Sequence, residues 1–491
     1  MVIYLHCPVK LLLLVREGSA DSDKSPVAPG QPGGGGMFDG KITNAPHVPW
    51  WQSLLDARDT VRNPLEVFEK YRSGLGDTFS FHFGGIRPTI VSSDPDFIQH
   101  VLRNNRDNYR KSDIQVERMV EFQGKGLVNS HGDEWLRRRR VLARGFLPAR
   151  LAQQLPAQQQ VLSDLVTGFD HATRQGPVDV HQQMVRFTLR LVGNALFGRS
   201  MSGDELDRIA DTISIIQGFI VRQVVRPYLV PWYRVSGVTR RYQRMRTAGD
   251  SIVLQHIAAR REEGIGESDF LRLMLDTPYH DTNRPMTEEE IKIESLQLMV
   301  AGNETSSIAL TWLFYLLGRH PQYISRIRRE IENVIGDAEV GFENLHRLAF
   351  TTRVIDETLR LYPPFWMIDR VAVENDEIRG IRIPSGTLVV PFIYGAHHNA
   401  ALWPDPDRFD PDRFLPERSE GRHRFAYLPF GGGPRLCIGQ NMAIVTILLI
   451  VATIVRRYDF APVGDEPVGK RPMMLLRPDG PVRMRFRSRE A

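Results

Sequence analysis

Phe430-Gly431-Gly432-Gly433-Pro434-Arg435-Leu436-Cys437-Ile438-Gly439 is the stretch that decides how this chain is to be read. Cys437 is one of only two cysteines in 491 residues. A lone cysteine closes no disulfide and no four-ligand zinc site. It can present one thiolate to a group that brings its other ligands with it. Haem is such a group, because the porphyrin leaves an axial position for the protein. The neighbouring residues suit that task. Gly431, Gly432 and Gly433 permit backbone angles and close approaches that a Cβ would forbid. Such a loop can turn N–H groups toward the sulfur and tune its electron density. Arg435 can set a guanidinium against a haem propionate, and Gly439 leaves room for a flat macrocycle. The unbroken apolar run Met442 to Val455 reads as a buried helix, whose positive end favours a thiolate just before it. A surface turn with an inert cysteine is the plainer reading. It accounts for the three glycines but not for all ten positions together.

Those ten residues match F-x-x-G-x-R-x-C-x-G, and Ala443 supplies a small residue six places after the cysteine. The chain therefore resembles the cytochrome P450 superfamily, the haem-thiolate monooxygenases, in a soluble bacterial form without a fused reductase. The resemblance implies a mainly α fold with a small β portion across residues 37–491. Haem b would lie between a long central helix and the cysteine loop, with Cys437 as its metal ligand and Phe430, Gly433, Arg435 and Gly439 around it.

The long helix is legible in its own right. Thr287 with Glu290 makes a capping box, and Gly318 and Pro321 supply stop signals, which predicts a helix from about Glu288 to Leu317. In its middle stands Ala301-Gly302-Asn303-Glu304-Thr305-Ser306. A glycine there costs ~1 kcal/mol relative to alanine, and a carboxylate in so apolar a helix is costly unless paired or hydrated. The gain expected from them is a local opening of the helix, with the Thr305 hydroxyl turned to the Ala301 carbonyl. Glu304 and Thr305 then form an acid–alcohol pair that relays protons. The motif resembles A/G-G-x-D/E-T-T/S of the family, which puts Ala301 against the haem and makes Glu304 and Thr305 the catalytic residues. A kinked core helix with a solvent-facing glutamate is the bland alternative.

Glu357-Thr358-Leu359-Arg360 matches E-x-x-R, a pattern that recurs at Glu134/Arg137 and Glu205/Arg208 and is weak alone. Context selects Glu357, which is followed by Tyr362-Pro363-Pro364 and later by Pro411-Asp412-Arg413-Phe414. The latter resembles the family's P-E-R-F element with Asp412 in place of glutamate. The resemblance implies a buried structural network of Glu357, Arg360 and Arg413 holding the cysteine loop. Trp135 and Arg139 fit W-x-x-x-R, and i,i+4 residues on a helix can reach one propionate together. Arg370 matches another arginine often used this way. His397 reads as structural, and His398 has no assignment.

The pocket is read only coarsely. Ile213 to Tyr233 is apolar with Arg222 and Arg226 interspersed, and the resemblance places it, Phe219 included, over the substrate channel. Phe365, Trp366, Met367 and Ile368 fall where family residues often face the haem. Both stretches point to a lipophilic substrate such as a fatty acid, terpenoid or polyketide.

Composition bounds the rest. Hydrophobic residues make up 42% and charged residues 25%, as in a soluble globular protein. A net charge of +5, from 63 basic and 58 acidic residues, gives little reason to invoke nucleic acid. The scarcity of cysteine fits a reducing cytoplasm. Residues 1–15 are apolar but interrupted by His6 and Lys10, too short for the ~20 residues of a membrane span. With the Gly-rich run before Met37, residues 1–36 read as a disordered tail or a mis-assigned start. About fifty residues follow the cysteine loop, too few for a flavin or iron–sulfur domain. Electrons, ultimately from NAD(P)H, are therefore expected from a separate ferredoxin with its reductase, or from a flavodoxin-type donor, to a monomeric enzyme using O2. Its docking patch is expected to be basic and near Cys437. A peroxide-driven peroxygenase and a haem-thiolate sensor are the alternatives. The acid–alcohol pair speaks against the first, and the absence of a recognisable output domain against the second.

Overall fold

In the computed structural model, which describes residues 42–489 apart from 85–86, 199–201, 226–228 and 263–268, the chain enters through a short helix, α1 (Trp50–Leu55). The readings for residues 1–36 and for Arg226 lie outside the described residues. A hairpin of β1 (Thr78–Phe83) and β2 (Arg87–Ser92) follows, turning at Gly84 with φ 61°. Its antiparallel register sets Phe79 opposite Val91 and Phe81 opposite Thr89. The next labelled elements in chain order are β3 (Tyr109–Arg110), α2 (Gly132–Ala143), α3 (Val180–Phe197) and α4 (Gly203–Val225). Then come α5 (Val230–Val235), α6 (Val238–Glu262), α7 (Glu288–Arg319) and α8 (Ala349–Leu361). Last are β4 (Arg370–Ala372), β5 (Leu388–Pro391), α9 (Gln440–Arg457) and β6 (Leu476–Pro478). The strand order in the main sheet is β1-β2-β5-β4-β3, antiparallel except for the β2–β5 pair. Helix predominates and the sheet portion is small, as the periodicity predicts.

Helix α7 carries the core. The Thr287 hydroxyl accepts from the Glu290 N–H at 3.2 Å, and the Glu290 carboxylate accepts from the Thr287 N–H at 2.8 Å, so the predicted capping box starts the helix. The end differs from expectation. Gly318 stays helical and the helix runs to Arg319, ending before Pro321. At Gly318 other segments pass close to the helix: a Cβ would meet Met484 Cε at 2.6 Å and Pro462 Cδ at 3.1 Å. Gly302 likewise lets α3 pass: a Cβ would lie 3.0 Å from Val192 Cγ2. The helix stays α-helical through Ala301 to Ser306, so the expected opening is not a break in the helix. Helices α3 and α7 are further joined where the Thr188 hydroxyl donates to Asn303 Oδ1 at 2.6 Å.

The C-terminal half of α7 is buried all round from Ile308 to Leu317, and apolar but for Thr311, whose hydroxyl donates to the Ser307 carbonyl. Trp312 sits at its centre, stacked on Tyr362 at 3.9 Å between ring centroids, with its indole N–H donating to the Leu476 carbonyl at 3.1 Å. Truncating a fully buried aromatic leaves a cavity costing about 3–5 kcal/mol, and here the β6 carbonyl also loses its partner. Trp312→Ala is expected to lower the thermal unfolding midpoint by many degrees in a scan. An unchanged midpoint would contradict this packing.

Candidate active site

The cysteine loop owes its shape to two left-handed residues and one close contact. Gly431 has φ 73° and Gly433 φ 67°, which L side chains rarely adopt. A Cβ on Gly433 would stand 1.9 Å from the Leu102 carbonyl oxygen. A 3₁₀ turn over Gly433–Arg435 then brings Cys437 round, and its N–H donates to the Phe430 carbonyl at 3.0 Å. Helix α9 begins three residues later with Gly439 as its N-cap. Cys437 is solvent-accessible yet deeply set among protein atoms. Burial pushes its thiol up, opposed by the Gly439 N–H and the Arg139 charge. The helix end alone therefore does not make the thiolate that the sequence suggests. A metal cation deprotonates a coordinating thiol outright, which is the counter-charge this sulfur calls for.

Cations crowd beside the loop. Trp135 lies beneath two guanidinium groups, Arg435 at 4.1 Å and Arg139 at 5.5 Å from its ring centroid. Arg139 donates to the Leu436 carbonyl at 2.9 Å and Arg435 to the Ser130 carbonyl at 2.9 Å. Arg370 is buried on β4 and donates to the Asp369 carbonyl at 2.7 Å. Lys111, which no local pattern marks, joins them and reaches the Val128 carbonyl. Burial and the neighbouring Arg370 and Arg435 push Lys111 down to about 7, with Asp369 as the opposing carboxylate. Burial, Arg370 and Arg139 push Arg435 down to about 10. His131 is lowered by burial and by the same cations. A cluster so short of negative charge fits a dianionic ligand. Together with the glycine cradle and the deep-set thiol, it fits a haem with two propionates.

On α7 the Thr305 hydroxyl donates to the Ala301 carbonyl at 2.7 Å, the contact its spacing predicts. Ala301 is exposed midway along a helix whose other exposed residues lie at its two ends. The Glu304 carboxylate does not bond Thr305. It accepts from Gln217 on α4 and pairs with Arg477 on β6. Neither partner is detectable from sequence, because each lies far away along the chain.

The E-x-x-R context is decided by burial. Arg360 donates twice to Glu357, at 2.7 and 2.8 Å, and once to the His397 carbonyl at 2.7 Å. Arg413 Nε donates to the same carboxylate at 3.2 Å, and the Asp410 N–H adds a fourth bond at 3.0 Å. The rival pairs do not form. Arg137 pairs with Asp281, Glu134 with Lys125 and Arg138, and Glu205 with His256. His397 completes the connection. Its Nδ1 faces the Arg360 carbonyl at 3.1 Å and its Nε2 the Leu428 N–H at 2.8 Å, so the ring is neutral with the proton on Nδ1. Burial, with Arg360 beside it, holds it down at about 3.

Two expected pocket residues are core residues instead. Trp366 is 0% exposed, packed among Phe68 and Phe392, with its indole N–H spent on the Met473 carbonyl. Phe219 is 1% exposed and stacked on Tyr242 at 3.9 Å, anchoring α4 to α6. An apolar run looks the same in sequence whether it lines a pocket or fills a core. Phe365 is exposed, Met367 packs on the Trp366 cluster, and Ile368 lies 3.7 Å from the Cβ position of Gly431, beside the cysteine loop. Arg222 is solvent-exposed. A cavity of about 490 Å³ opens on the cysteine loop, lined by Asp356, Tyr427, Phe430, Leu436 and Asn441. Another of about 470 Å³, between Gln159, Val340 and Arg456, touches none of these residues.

Comparisons with known proteins agree with this geometry. A family model described as Cytochrome P450 matches residues 44–486. Cyclooctatin synthase of Streptomyces melanosporofaciens is 32% identical over 86% of this chain and 91% of the relative. Cyclooctat-9-en-7-ol 5-monooxygenase of the same organism is 29% identical, covering 82% and 86%. A solved structure titled as the heme domain of cytochrome P450DA superposes with a TM-score of 0.80 at 23% identity, over 92% of this chain and 98% of that one, and so shares the fold.

A pH dependence follows from His397. Its folded value lies below that of the unfolded chain, ~6.5, so its contribution to stability is complete above that value and is lost as the pH falls toward about 3. On acidification from neutrality to about pH 4, the wild type is expected to lose more thermal stability than His397→Gln. Parallel losses in the two proteins would contradict the neutral, doubly bonded ring.

Proposed function

The chain belongs to the cytochrome P450 family, and from that premise we propose that this monooxygenase hydroxylates a lipophilic small molecule, such as a fatty acid, terpenoid or polyketide, with electrons from a separate partner. The reaction consumes one O2, two electrons and two protons. One oxygen atom enters a C–H bond and the other leaves as water. The observation that carries the reading is the deep-set Cys437 between its glycine cradle and a cluster of unbalanced cations.

When bound here, haem would supply the activation of dioxygen and the oxidising power. The chain's own residues do the rest. Cys437 is the ligand, and the Gly439 N–H withdraws electron density from its sulfur. Arg435, Arg370, Arg139 and Lys111 would hold the propionates, and Trp135 fixes two of these side chains by its ring. Glu357, Arg360 and Arg413 keep the loop's support rigid and touch no reacting atom. Thr305 Oγ1 holds a proton on the open side of α7, and Glu304 replenishes it after turning from Arg477. A mostly buried carboxylate next to a hydroxyl in sequence is suited to that transfer because, once turned from Arg477, it can pass a proton to the alcohol.

Phe365 and Ile368 border the substrate space, and their apolar character favours a lipophilic substrate. The Streptomyces relative named for cyclooctat-9-en-7-ol, an unsaturated alcohol, lends support to that class. A ferredoxin or flavodoxin-type donor would dock on the outer side of the cysteine loop. There the cavity beside Phe430 and the exposed Leu436 offer apolar contact. We place the enzyme in the cytoplasm as a monomer.

Titration of the purified ferric protein with a panel of fatty acids and terpenoids, read at the haem absorption band, tests the reading. A low-spin to high-spin shift with one class is expected and names the class. Protein that purifies without haem and cannot be reconstituted would overturn the assignment of Cys437. With the ligand so found, Glu304→Gln is expected to slow turnover roughly a hundredfold or more while the spectral dissociation constant stays within about twofold of wild type. A normal rate would remove Glu304 from the proton route.

A further inference from the structure

The cavity of about 490 Å³ beside the cysteine loop holds a carboxylate that no base answers. Asp356, on α8, lines it. Its Oδ1 accepts from the Tyr427 hydroxyl at 3.0 Å, and the same hydroxyl lies 3.0 Å from the Asp356 main-chain carbonyl. Its Oδ2 has no hydrogen-bond partner, and no basic side chain pairs with the carboxylate, among the described residues. Burial pushes the carboxyl up to about 6, against the Tyr427 hydrogen bond and with the Glu357 charge adding to the rise. The walls are of another kind. Phe342, Tyr427 and Phe430 bring aromatic rings to the cavity, and Leu151, Ile444 and Leu448 give it an aliphatic side. His346 is the one basic residue among the lining ones. It is exposed, and its ring stands edge-on to Phe342 with centroids 4.7 Å apart.

A carboxylate enclosed with one donor is costly, and it is relieved either by a proton or by a cation brought to it. The lining selects among ligands. An anion would meet Asp356 as a like charge. A hard metal ion takes several oxygen ligands, and no group of acidic or metal-ligating side chains that could hold one stands among the described residues. An organic cation meets every wall favourably. Its charge pairs with the carboxylate, aromatic faces attract it through the ring quadrupole, and its hydrocarbon part leaves water for the aliphatic side. The volume is that of small-molecule sites, which join apolar walls to a few placed polar groups. We propose that this cavity is a binding site for a small organic cation, an ammonium group on an apolar or aromatic body, with its charge on Asp356 and its body against Phe342, Phe430 and Ile444. The site is separate from the substrate space, because neither Phe365 nor Ile368 lines it. An occupant would touch Phe430 and Leu436, on either side of the turn that leads to Cys437, and so would bear on the cysteine loop from outside the reaction. The proposal does not rest on the catalytic reading, since no residue of α7 or of the cation cluster takes part in it.

Calorimetric titration of the full-length haem protein with benzyltrimethylammonium tests it. A quaternary nitrogen has no lone pair, so this probe cannot ligate haem iron. The wild type is expected to bind it near neutral pH, and to bind the neutral benzyl alcohol roughly tenfold or more weakly. Asp356→Asn keeps an oxygen for the Tyr427 hydroxyl and is expected to weaken binding of the cation roughly tenfold or more. Ile444→Phe fills the cavity from α9 and is expected to weaken it as much. Thermal midpoints near that of wild type would show that both variants fold, and either decides the matter if the other does not. Ser163→Phe fills the separate cavity at Gln159 and Val340 instead, and is expected to bind like wild type. Absence of binding to the wild type would overturn the proposal. So would equal binding of benzyl alcohol, or an Asp356→Asn protein that binds the cation as tightly as wild type. If the probe moves the haem absorption band from low to high spin equally in wild type and Asp356→Asn, it occupies the substrate space and the assignment to this cavity fails.

Discussion

The Glu357 carboxylate is buried without any contact with water, and four donors surround it: Arg360 twice, Arg413 once and the Asp410 N–H once. A charge so placed is tolerated only when every lone pair is engaged, and removing one partner typically costs about 3–5 kcal/mol. The constraint spreads outward from there. Arg360 also holds the His397 carbonyl, and the His397 ring joins the Arg360 carbonyl to the Leu428 N–H, two residues before the cysteine loop starts. Helix α8, the segment around Arg413 and the entry to the loop are thereby locked into one arrangement. The loop that presents Cys437 is glycine-rich, and its own ties are single bonds such as those from Arg139 to the Leu436 carbonyl and from Arg435 to the Ser130 carbonyl.

That anchored loop faces a region where the chain's charges are unbalanced. Lys111, Arg139, Arg370 and Arg435 approach one another with Asp369 as the facing carboxylate, and burial together with mutual repulsion depresses Lys111 and Arg435. In a protein built only for stability such a cluster would be replaced by apolar residues or answered by acids. Its persistence beside a deep-set thiol is the electrostatic outline of a dianionic, metal-bearing ligand. Helix α7 follows a different economy. Most of its C-terminal half serves packing, while Ala301, Glu304 and Thr305 occupy the few positions not consumed by the core.

Some expectations failed for an instructive reason. Trp366 and Phe219 look like pocket residues because they are large, apolar and near pocket-bearing segments. Both are sealed in cores, one by Phe68 and Phe392, the other by Tyr242 and Phe122. Gly318 looks like a helix stop and is a contact point for Met484. Glu304 looks like a partner of Thr305 and is held by Gln217 and Arg477. In each case the side chain's chemistry was visible and its neighbour was not.

The amino-acid sequence by itself determined what depends on residues close together along the chain. Cys437 and its glycine loop span ten residues, the capping box of α7 four, and the Thr305–Ala301 contact one helical turn. Local backbone geometry decides these. Only the tertiary structure decided which of three E-x-x-R pairs is internal, that Lys111 and Arg370 meet Arg435, and that Arg477 meets Glu304. Those choices rest on burial and on partners up to hundreds of residues apart, and loop-closure entropy sets only a weak preference among such pairings. Packing alone selects between them, because an ion pair removed from water must be satisfied where the fold places it.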